Sequence, residues 1–277
     1  MCRLFGLTAG QQRVHAAFWL LDAPDSLLAQ SHRNPDGSGI GYFDAAGEPV
    51  LDKQPEPGFA DPEFSRAAKE ATASTFVAHV RWASAGGRTT ANTHPFTMRG
   101  RIMAHNGGFG ELGRLDEQLG QYRELVAGET DSERYFALIT QQTEDCGGDV
   151  AAGITAAARW IATRLPVSSL NTVVITGDEL WALRYPGVHA LHVLQRPAED
   201  ELHARSTTSS YHLPGLQDTQ SVLVASEALD GEDGWRMLAP GELVHVGPGL
   251  AVESAVMIPE PPARPVPLPP GNPNIDS

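Results

Sequence analysis

Strand-like and helical stretches do not alternate regularly along this chain, and that order restricts its architecture more than any other feature. β-rich runs are expected at Arg3 to Thr8, Gly39 to Phe43, Thr75 to Arg81, Arg101 to His105, Leu170 to Thr176, Leu180 to Tyr185, Ala190 to Leu194, Ser221 to Ala225 and Leu243 to Val246. Helical spacing is expected at Val14 to Leu21, Pro62 to Ala73, Asp131 to Gln142 and Val150 to Arg164. Strands before, between and after helix pairs predict an α+β, layered arrangement and not a doubly wound sheet. The runs on either side of Pro186-Gly187 read as a meander of antiparallel strands. In the third helix Thr130 and Glu133 have capping-box spacing, which sets Asp131 in the first turn. Tyr135, Phe136, Leu138 and Ile139 then form one apolar stripe.

The chain has 277 residues, enough to bury a sizeable core, with 41% hydrophobic and 19% charged residues. Its formal net charge of −14 and the lack of any Lys/Arg run argue against a nucleic-acid partner. Cysteine occurs only as Cys2 and Cys146, so no disulfide framework organises the fold and a reducing cytoplasm fits best. No basic region precedes an apolar stretch at the N-terminus, and the apolar run at Ala16 to Leu21 is short; neither a signal peptide nor a membrane span is expected. One domain is expected over residues 1–256. A proline-rich tail over 257–277 follows, either solvated or laid along the domain surface, with a ligand for a proline-binding partner as the other reading. Phosphate-binding glycine motifs and clusters with metal-ligand spacing are missing, so the expected cofactor and metal are none.

Cys2 is the first residue left if Met1 is removed, and a small side chain at that position favours removal. The thiol would then share a residue with a free α-amine, whose reference pKa is about 7.7–8.0. Roughly a tenth of such amines are unprotonated at neutral pH, so the amine can serve as general base for its own thiol. Taken alone, Cys2 also reads as an incidental cysteine in a first strand.

Three further segments carry possible chemistry, each beside an ordinary reading. Arg81, in His79-Val80-Arg81-Trp82-Ala83-Ser84, stands at a strand end where its planar fork can meet a carboxylate, or a surface ion-pair partner. In His105-Asn106-Gly107-Gly108, Asn-Gly is ordinarily a turn. The same pair can instead aim the Asn106 amide and the Gly107 N–H at one developing oxyanion. Asp131, in Gly128-Glu129-Thr130-Asp131-Ser132-Glu133, is a good first-turn acid and can also hold an ammonium. The loop Arg33 to Ile40 is polar and glycine-rich, able to close over a site or simply to connect two elements.

Together these segments, with Cys2-Arg3-Leu4-Phe5-Gly6 and Asn92-Thr93-His94-Pro95-Phe96, resemble the class II glutamine amidotransferase domain over roughly residues 2 to 250. The resemblance implies an N-terminal-nucleophile hydrolase fold, a four-layer αββα sandwich of two antiparallel sheets flanked by helices. It implies Cys2 as nucleophile, Asn106 and Gly107 as oxyanion hole, Arg81 on the substrate α-carboxylate and Asp131 on the α-ammonium, with Trp82 beside the substrate. His79, His94 and His105 are expected to be structural. Arg33 to Ile40 looks like the family's glutamine loop, although Asn34-Pro35 departs from its commoner form. Ser84 and Ala85 stand where synthase relatives often carry threonine and histidine. The chain is too short to add a synthase domain, and it resembles the stand-alone members: the YafJ-type proteins and the γ-glutamyl hydrolase of ergothioneine biosynthesis. Val224-Ala225-Ser226-Glu227-Ala228-Leu229, followed by Trp235, resembles those as well.

The expected activity is cleavage of a γ-glutamyl amide, glutamine or a γ-glutamyl conjugate, through a thioester. Three alternatives remain: a glutaminase subunit feeding ammonia to a separate synthase, a silent binding module of the same fold, and a bile-salt or penicillin amidase type of N-terminal cysteine hydrolase.

Overall fold

Side chains along the first strand, β1 (Arg3–Thr8), alternate between two cores. Phe5 and Leu7 pack with Trp19 and Phe64, whereas Leu4 packs with Val77, Ile102 and Val173. A computed structural model describes residues 2–83, 86–198, 203–205, 210–212, 219–231 and 233–267. Met1, Ser84, Ala85 and the tail from 268 onward lie outside the described residues.

After β1 the chain forms a π-helical turn (Phe18–Asp22), α1 (Leu27–Gln30), β2 (Ser38–Phe43), β3 (Pro49–Gln54), α2 (Pro62–Glu70) and β4 (Thr75–Val80). It continues through β5 (Phe96–Met98), β6 (Arg101–Phe109), α3 (Leu112–Leu119), α4 (Asp131–Asp145), α5 (Val150–Arg164), β7 (Val167–Ile175) and β8 (Leu180–Leu183). The last elements are β9 (His192–Arg196), β10 (His203–Arg205), β11 (Ser210–His212), β12 (Ser221–Ala225), β13 (Arg236–Met237), β14 (Glu242–Val246) and β15 (Val252–Val256).

Two antiparallel sheets result, with strand orders β13-β9-β12-β1-β4-β2-β3 and β15-β14-β8-β7-β6-β5. Their facing sides share an apolar layer that includes Leu4, Val77, Ala104, Val173 and Val224. The outer face of the first sheet is covered by the π-helical turn, α1 and α2, through Phe18, Trp19, Leu27, Phe64 and Ala67. The outer face of the second is covered by α3, α4 and α5, through Leu115, Phe136 and Ile161 against Met103, Val174 and Trp181. This is the four-layer αββα sandwich expected from the sequence. A Cβ at Gly6 would lie 2.8 Å from Val173 Cγ1 and 3.1 Å from Leu180 Cδ1, so glycine there lets β1 approach β7 and β8.

Helix α4 begins where its cap predicts. Thr130 Oγ1 accepts the Glu133 N–H at 3.2 Å, a contact worth about 1 kcal/mol. The Glu133 carboxylate does not return to Thr130; it accepts the Ala127 and Gly128 N–H groups at 3.0 and 2.6 Å. The expected stripe of Tyr135, Phe136, Leu138 and Ile139 is fully buried.

Three local expectations are corrected. Leu180–Leu183 and His192–Arg196 do not form a meander: β8 pairs with β7 and β14, while β9 pairs with β12 and β13 in the opposite sheet. The chain crosses the sandwich between them because β8 folds back on the preceding β7, while β9 takes its partners from the later strands β12 and β13. The helix expected from Val14 is reduced to the turn at Phe18–Asp22, since Val14 is held extended by reciprocal backbone bonds with Ala73 at 2.9 and 3.2 Å. The strand expected to stop at His105 runs to Phe109, carrying Asn106-Gly107 in extended form opposite Asn171 and Leu170.

Residues 263–266 follow the surface beside β7. Ala263 N–H donates to the Ala162 carbonyl at 2.9 Å, and Val167 and the 264–266 segment exchange bonds at 3.0 and 2.8 Å. Among the described residues, no helix is long and apolar enough to cross a membrane.

Candidate active site

Cys2 precedes β1, on the side of the strand that faces the other sheet. Its half-buried thiol lies against the Trp82 backbone: Sγ is 3.4 Å from Trp82 N, which donates to it, and 3.5 Å from Trp82 O. Burial pushes the Cys2 thiol up from its usual range; the Trp82 N–H and the Arg81 cation pull it back, and the Asp131 carboxylate pushes it up further. A thiol held up in this way rests protonated and needs a base when it attacks. The Trp82 indole is 40% exposed, so its backbone and not its ring touches the sulfur.

Arg81 is buried at the end of β4. Its Nη1 donates to the Gly87 carbonyl at 3.2 Å, and its N–H donates to the Gly37 carbonyl at 2.8 Å. Asn92 Nδ2 also donates to Gly87 O, at 3.2 Å, and Asn92 Oδ1 accepts the Glu129 N–H at 2.8 Å. One asparagine thus links the loop that anchors Arg81 to the turn that opens α4.

Asp131 is fixed from the opposite side. Its Oδ2 accepts the Phe109 N–H at 3.2 Å, next to the irregular pairing at Gly108 and Phe109. The neighbouring Ser132 Oγ lies 2.9 Å from His105 Nδ1, while His105 Nε2 lies 3.2 Å from the Ser169 carbonyl. A carbonyl only accepts, so Nε2 carries the proton and Nδ1 accepts from Ser132. Burial holds His105 below its usual value, consistent with a neutral ring that rivets α4 to β6.

Asn106 and Gly107 lie on that same strand. Asn106 is buried, and its carbonyl accepts the Ser169 hydroxyl at 3.2 Å. No hydrogen bond of its carboxamide is found among the described residues. At Gly107 a Cβ would stand 1.9 Å from Ser169 O and 2.8 Å from His105 Nε2, so no other residue fits without moving the strand.

His79 and His94 pack with ring centroids 4.2 Å apart and their planes tilted by 36°. Burial holds His79 down at about 3 and His94 well below its usual value. Both are neutral core groups at physiological pH. Among the described residues no group of three histidine, cysteine, aspartate or glutamate side chains could hold a metal ion.

Two supporting residues escaped the sequence reading. Asp36, within the polar loop, accepts the Ala83 N–H on Oδ2 at 2.8 Å and pairs with Arg88. Glu227 pairs with Arg3 beside Cys2. Their only sequence signal is an acid inside a motif-bearing loop, and its partner lies far along the chain.

A sequence profile of the class-II glutamine amidotransferases matches residues 1–265, and the chain belongs to that family. It is 28% identical over 256 residues to the gamma-glutamyl-hercynylcysteine sulfoxide hydrolase of Mycobacterium tuberculosis, covering 89% of this chain and 93% of that one. It is also 28% identical over 170 residues to the "Probable glutamine amidotransferase DUG3" of Saccharomyces cerevisiae, covering 54% of this chain and 47% of the yeast protein. The fold matches that of the glutamine phosphoribosylpyrophosphate amidotransferase from B. subtilis with a TM-score of 0.64 at 16% identity, covering 94% of this chain and 50% of that one. This chain therefore spans about half the length of the yeast and Bacillus proteins.

Proposed function

We propose that this protein hydrolyses a γ-glutamyl amide, glutamine or a γ-glutamyl conjugate, through a thioester on Cys2. The observation that carries this reading is geometric: the Cys2 sulfur lies against the backbone of Trp82, the residue after buried Arg81, while Asp131 is fixed to β6, the strand that carries Asn106 and Gly107. A glutamyl head carries an α-carboxylate and an α-ammonium, and the Arg81 and Asp131 charges complement it. Arg81 takes the carboxylate and Asp131 the ammonium.

With Met1 removed, the α-amine of Cys2 accepts the thiol proton as sulfur attacks the side-chain carbonyl carbon. The Asn106 carboxamide and the Gly107 N–H stabilise the oxyanion. The C–N bond then breaks, and the amine or ammonia leaves with the proton returned by the α-amine. Water, activated by the same amine, cleaves the thioester and releases glutamate and the free thiol. The Trp82 N–H at the sulfur steadies the thiolate before attack. Alignment over 93% of the gamma-glutamyl-hercynylcysteine sulfoxide hydrolase supports the hydrolase reading.

The test is glutamate release from a panel of γ-glutamyl amides with varied leaving amines. Release from γ-glutamyl compounds and none from the matching β-aspartyl compounds is the expected result. No release from any γ-glutamyl compound by protein shown by mass to lack Met1 overturns the reading.

A further inference from the structure

We propose that Arg3 and Glu227 form a clamp that positions the nucleophile, both acting through the Cys2 backbone as positioning residues. This rests on the reading of Cys2 as the reacting residue. The regular β1–β12 ladder ends at the pair Phe5 and Ala225. Beyond it the next two residues of each segment keep the pairing going by other means. Ser226 brackets Leu4, its N–H donating to Leu4 O at 3.1 Å and its Oγ accepting the Leu4 N–H at 2.9 Å. One step further out, Arg3 Nη2 forms an ion pair with Glu227 Oε1, and Arg3 Nη1 donates to the Cys2 carbonyl at 3.4 Å.

Arg3 is 3% exposed. A guanidinium so buried needs a counter-charge. Glu227 supplies it with one oxygen and offers the other to Arg33, 3.4 Å away. Arg33 in turn pairs with Asp25 at 3.4 Å, and the Asp25 N–H donates to Leu229 O at 3.1 Å. The turn after β12 is thus tied both to the residue beside the nucleophile and to the polar loop that begins at Arg33. The same loop holds the backbone of Arg81 through Gly37 and that of Ala83 through Asp36. Sulfur and substrate-binding arginine are located by one connected set of contacts.

Cys2 precedes the first strand and has no residue before it once Met1 is gone. Without the clamp its carbonyl loses a fixed donor, and the thiol and amine swing about the remaining backbone. Small misplacement at a reacting centre is costly: about 1 Å can cost on the order of a hundredfold in rate.

The experiment compares wild type with Arg3→Met, Arg3→Lys, Glu227→Gln and the Arg3→Met/Glu227→Gln pair. It reads kcat and KM for a γ-glutamyl amide, the rate of Cys2 alkylation by iodoacetamide, and the melting temperature. Expected for Arg3→Met and Glu227→Gln is a fall in kcat of about tenfold with KM within about twofold. Arg3→Lys should lie between, because an ammonium keeps the charge and loses the fork. The pair should be no worse than the poorer single variant, since both break one clamp. Glu227→Gln is isosteric and partly exposed, so it decides the matter if Arg3→Met does not fold. Folded Glu227→Gln with wild-type kcat and wild-type alkylation rate overturns the clamp. If wild type hydrolyses no γ-glutamyl amide, the functional reading fails separately, and the alkylation rate still decides: a several-fold change supports the clamp, an unchanged rate refutes it.

Discussion

Asp36 and Arg81 hold each other through the backbone: the Asp36 N–H donates to the Arg81 carbonyl at 2.9 Å, and the Arg81 N–H donates to Gly37, the next carbonyl along, at 2.8 Å. The Asp36 carboxylate also accepts the Ala83 N–H at 2.8 Å. Both ends of the Arg81-Trp82-Ala83 stretch that touches Cys2 sulfur are therefore set by one acid. Asp36→Ala leaves the part-buried Ala83 N–H without its acceptor, at a cost of about 1 kcal/mol or somewhat more. It should lower kcat/KM by about one order of magnitude if that cost falls on the transition state. Asp36→Asn keeps an acceptor for Ala83 and loses only the ion pair to the exposed Arg88, so it should retain most activity. Equal loss in both variants would assign the role to the charge.

Cys2 is expected to be the essential thiol and Cys146, free and exposed at the C-terminal end of α4, dispensable. Cys2→Ala should abolish glutamate release and Cys146→Ala should leave it nearly unchanged. Intact mass should show Met1 missing from active protein. A glutamine-analogue alkylator should add one label, found on the Cys2 peptide. Full activity in Cys2→Ala would sink the assignment.

For the oxyanion donors the expected signature is in turnover. Loss of one such donor costs on the order of 10²–10³ in kcat. Asn106→Ala should therefore lower kcat strongly and move KM little. Gly107→Ala should be at least as damaging, with a lower melting temperature, because its Cβ meets Ser169 O at 1.9 Å. If Asn106→Ala changed only KM, the carboxamide would be a substrate-positioning group.

Head-group recognition can be dissected with modified substrates. Each charge-assisted contact is worth roughly 1.5–3 kcal/mol, about ten- to a hundredfold in kcat/KM. Wild type should reject substrates with the α-carboxylate amidated or the α-amine acetylated. Arg81→Ala should lose discrimination at the carboxylate alone, and Asp131→Ala at the amine alone. Arg81→Lys should also be costly, because a point charge does not reproduce the fork. Uniform loss on every substrate would make both residues structural.

Acid should destabilise the fold through its buried histidines. His79 is held at about 3 and His189 at about 4, both by burial, and His94 and His105 are also lowered. The unfolded chain protonates these groups first, so their stability is complete above about 6.5 and is lost as pH falls toward the folded values. Each adds at most about 1.4 kcal/mol per pH unit over that window. Asp25 acts the other way, its carboxyl pushed up to about 6 by burial and by Glu227, but four histidines outnumber it. Melting temperature should fall from pH 7 to pH 5, and His79→Gln should flatten the slope. An unchanged slope in that variant would remove His79 from the account.

Local signals were legible where local physics decides. Thr130 caps α4 as its spacing predicts, because a cap bond spans three residues. The outer-and-inner alternation of β1 is equally local. Asn106-Gly107 has turn chemistry, yet pairing with Asn171 and Leu170 holds it in a strand. Strands β8 and β9 look like hairpin partners but serve different sheets, since ladder partners are chosen by tertiary packing. The supports of the proposed site were least legible. Asp36 meets Ala83, Asn92 meets Glu129, and Glu227 meets Arg3 across distances in sequence that no periodicity reports. Short elements such as β5 and β13 carry too few residues to show a pattern.

The pairing of β1 with β12 also fixes when the protein can become competent during synthesis. Phe5 meets Ala225, and the contacts that reach Arg3 come from Ser226 and Glu227. Cys2 and Arg3 are made some two hundred residues before Ser226 and Glu227. The first sheet cannot close around β1 until Ser221–Ala225 has been made, by which point β5 to β8 of the second sheet lie between them in the chain and β14 and β15 are still to follow. Such a high contact order predicts folding in milliseconds to seconds, slower than a helical bundle. A nascent chain stalled before residue 221 therefore carries Cys2 without the strand that flanks β1, and the proposed nucleophile gains its full setting only after β12 is made.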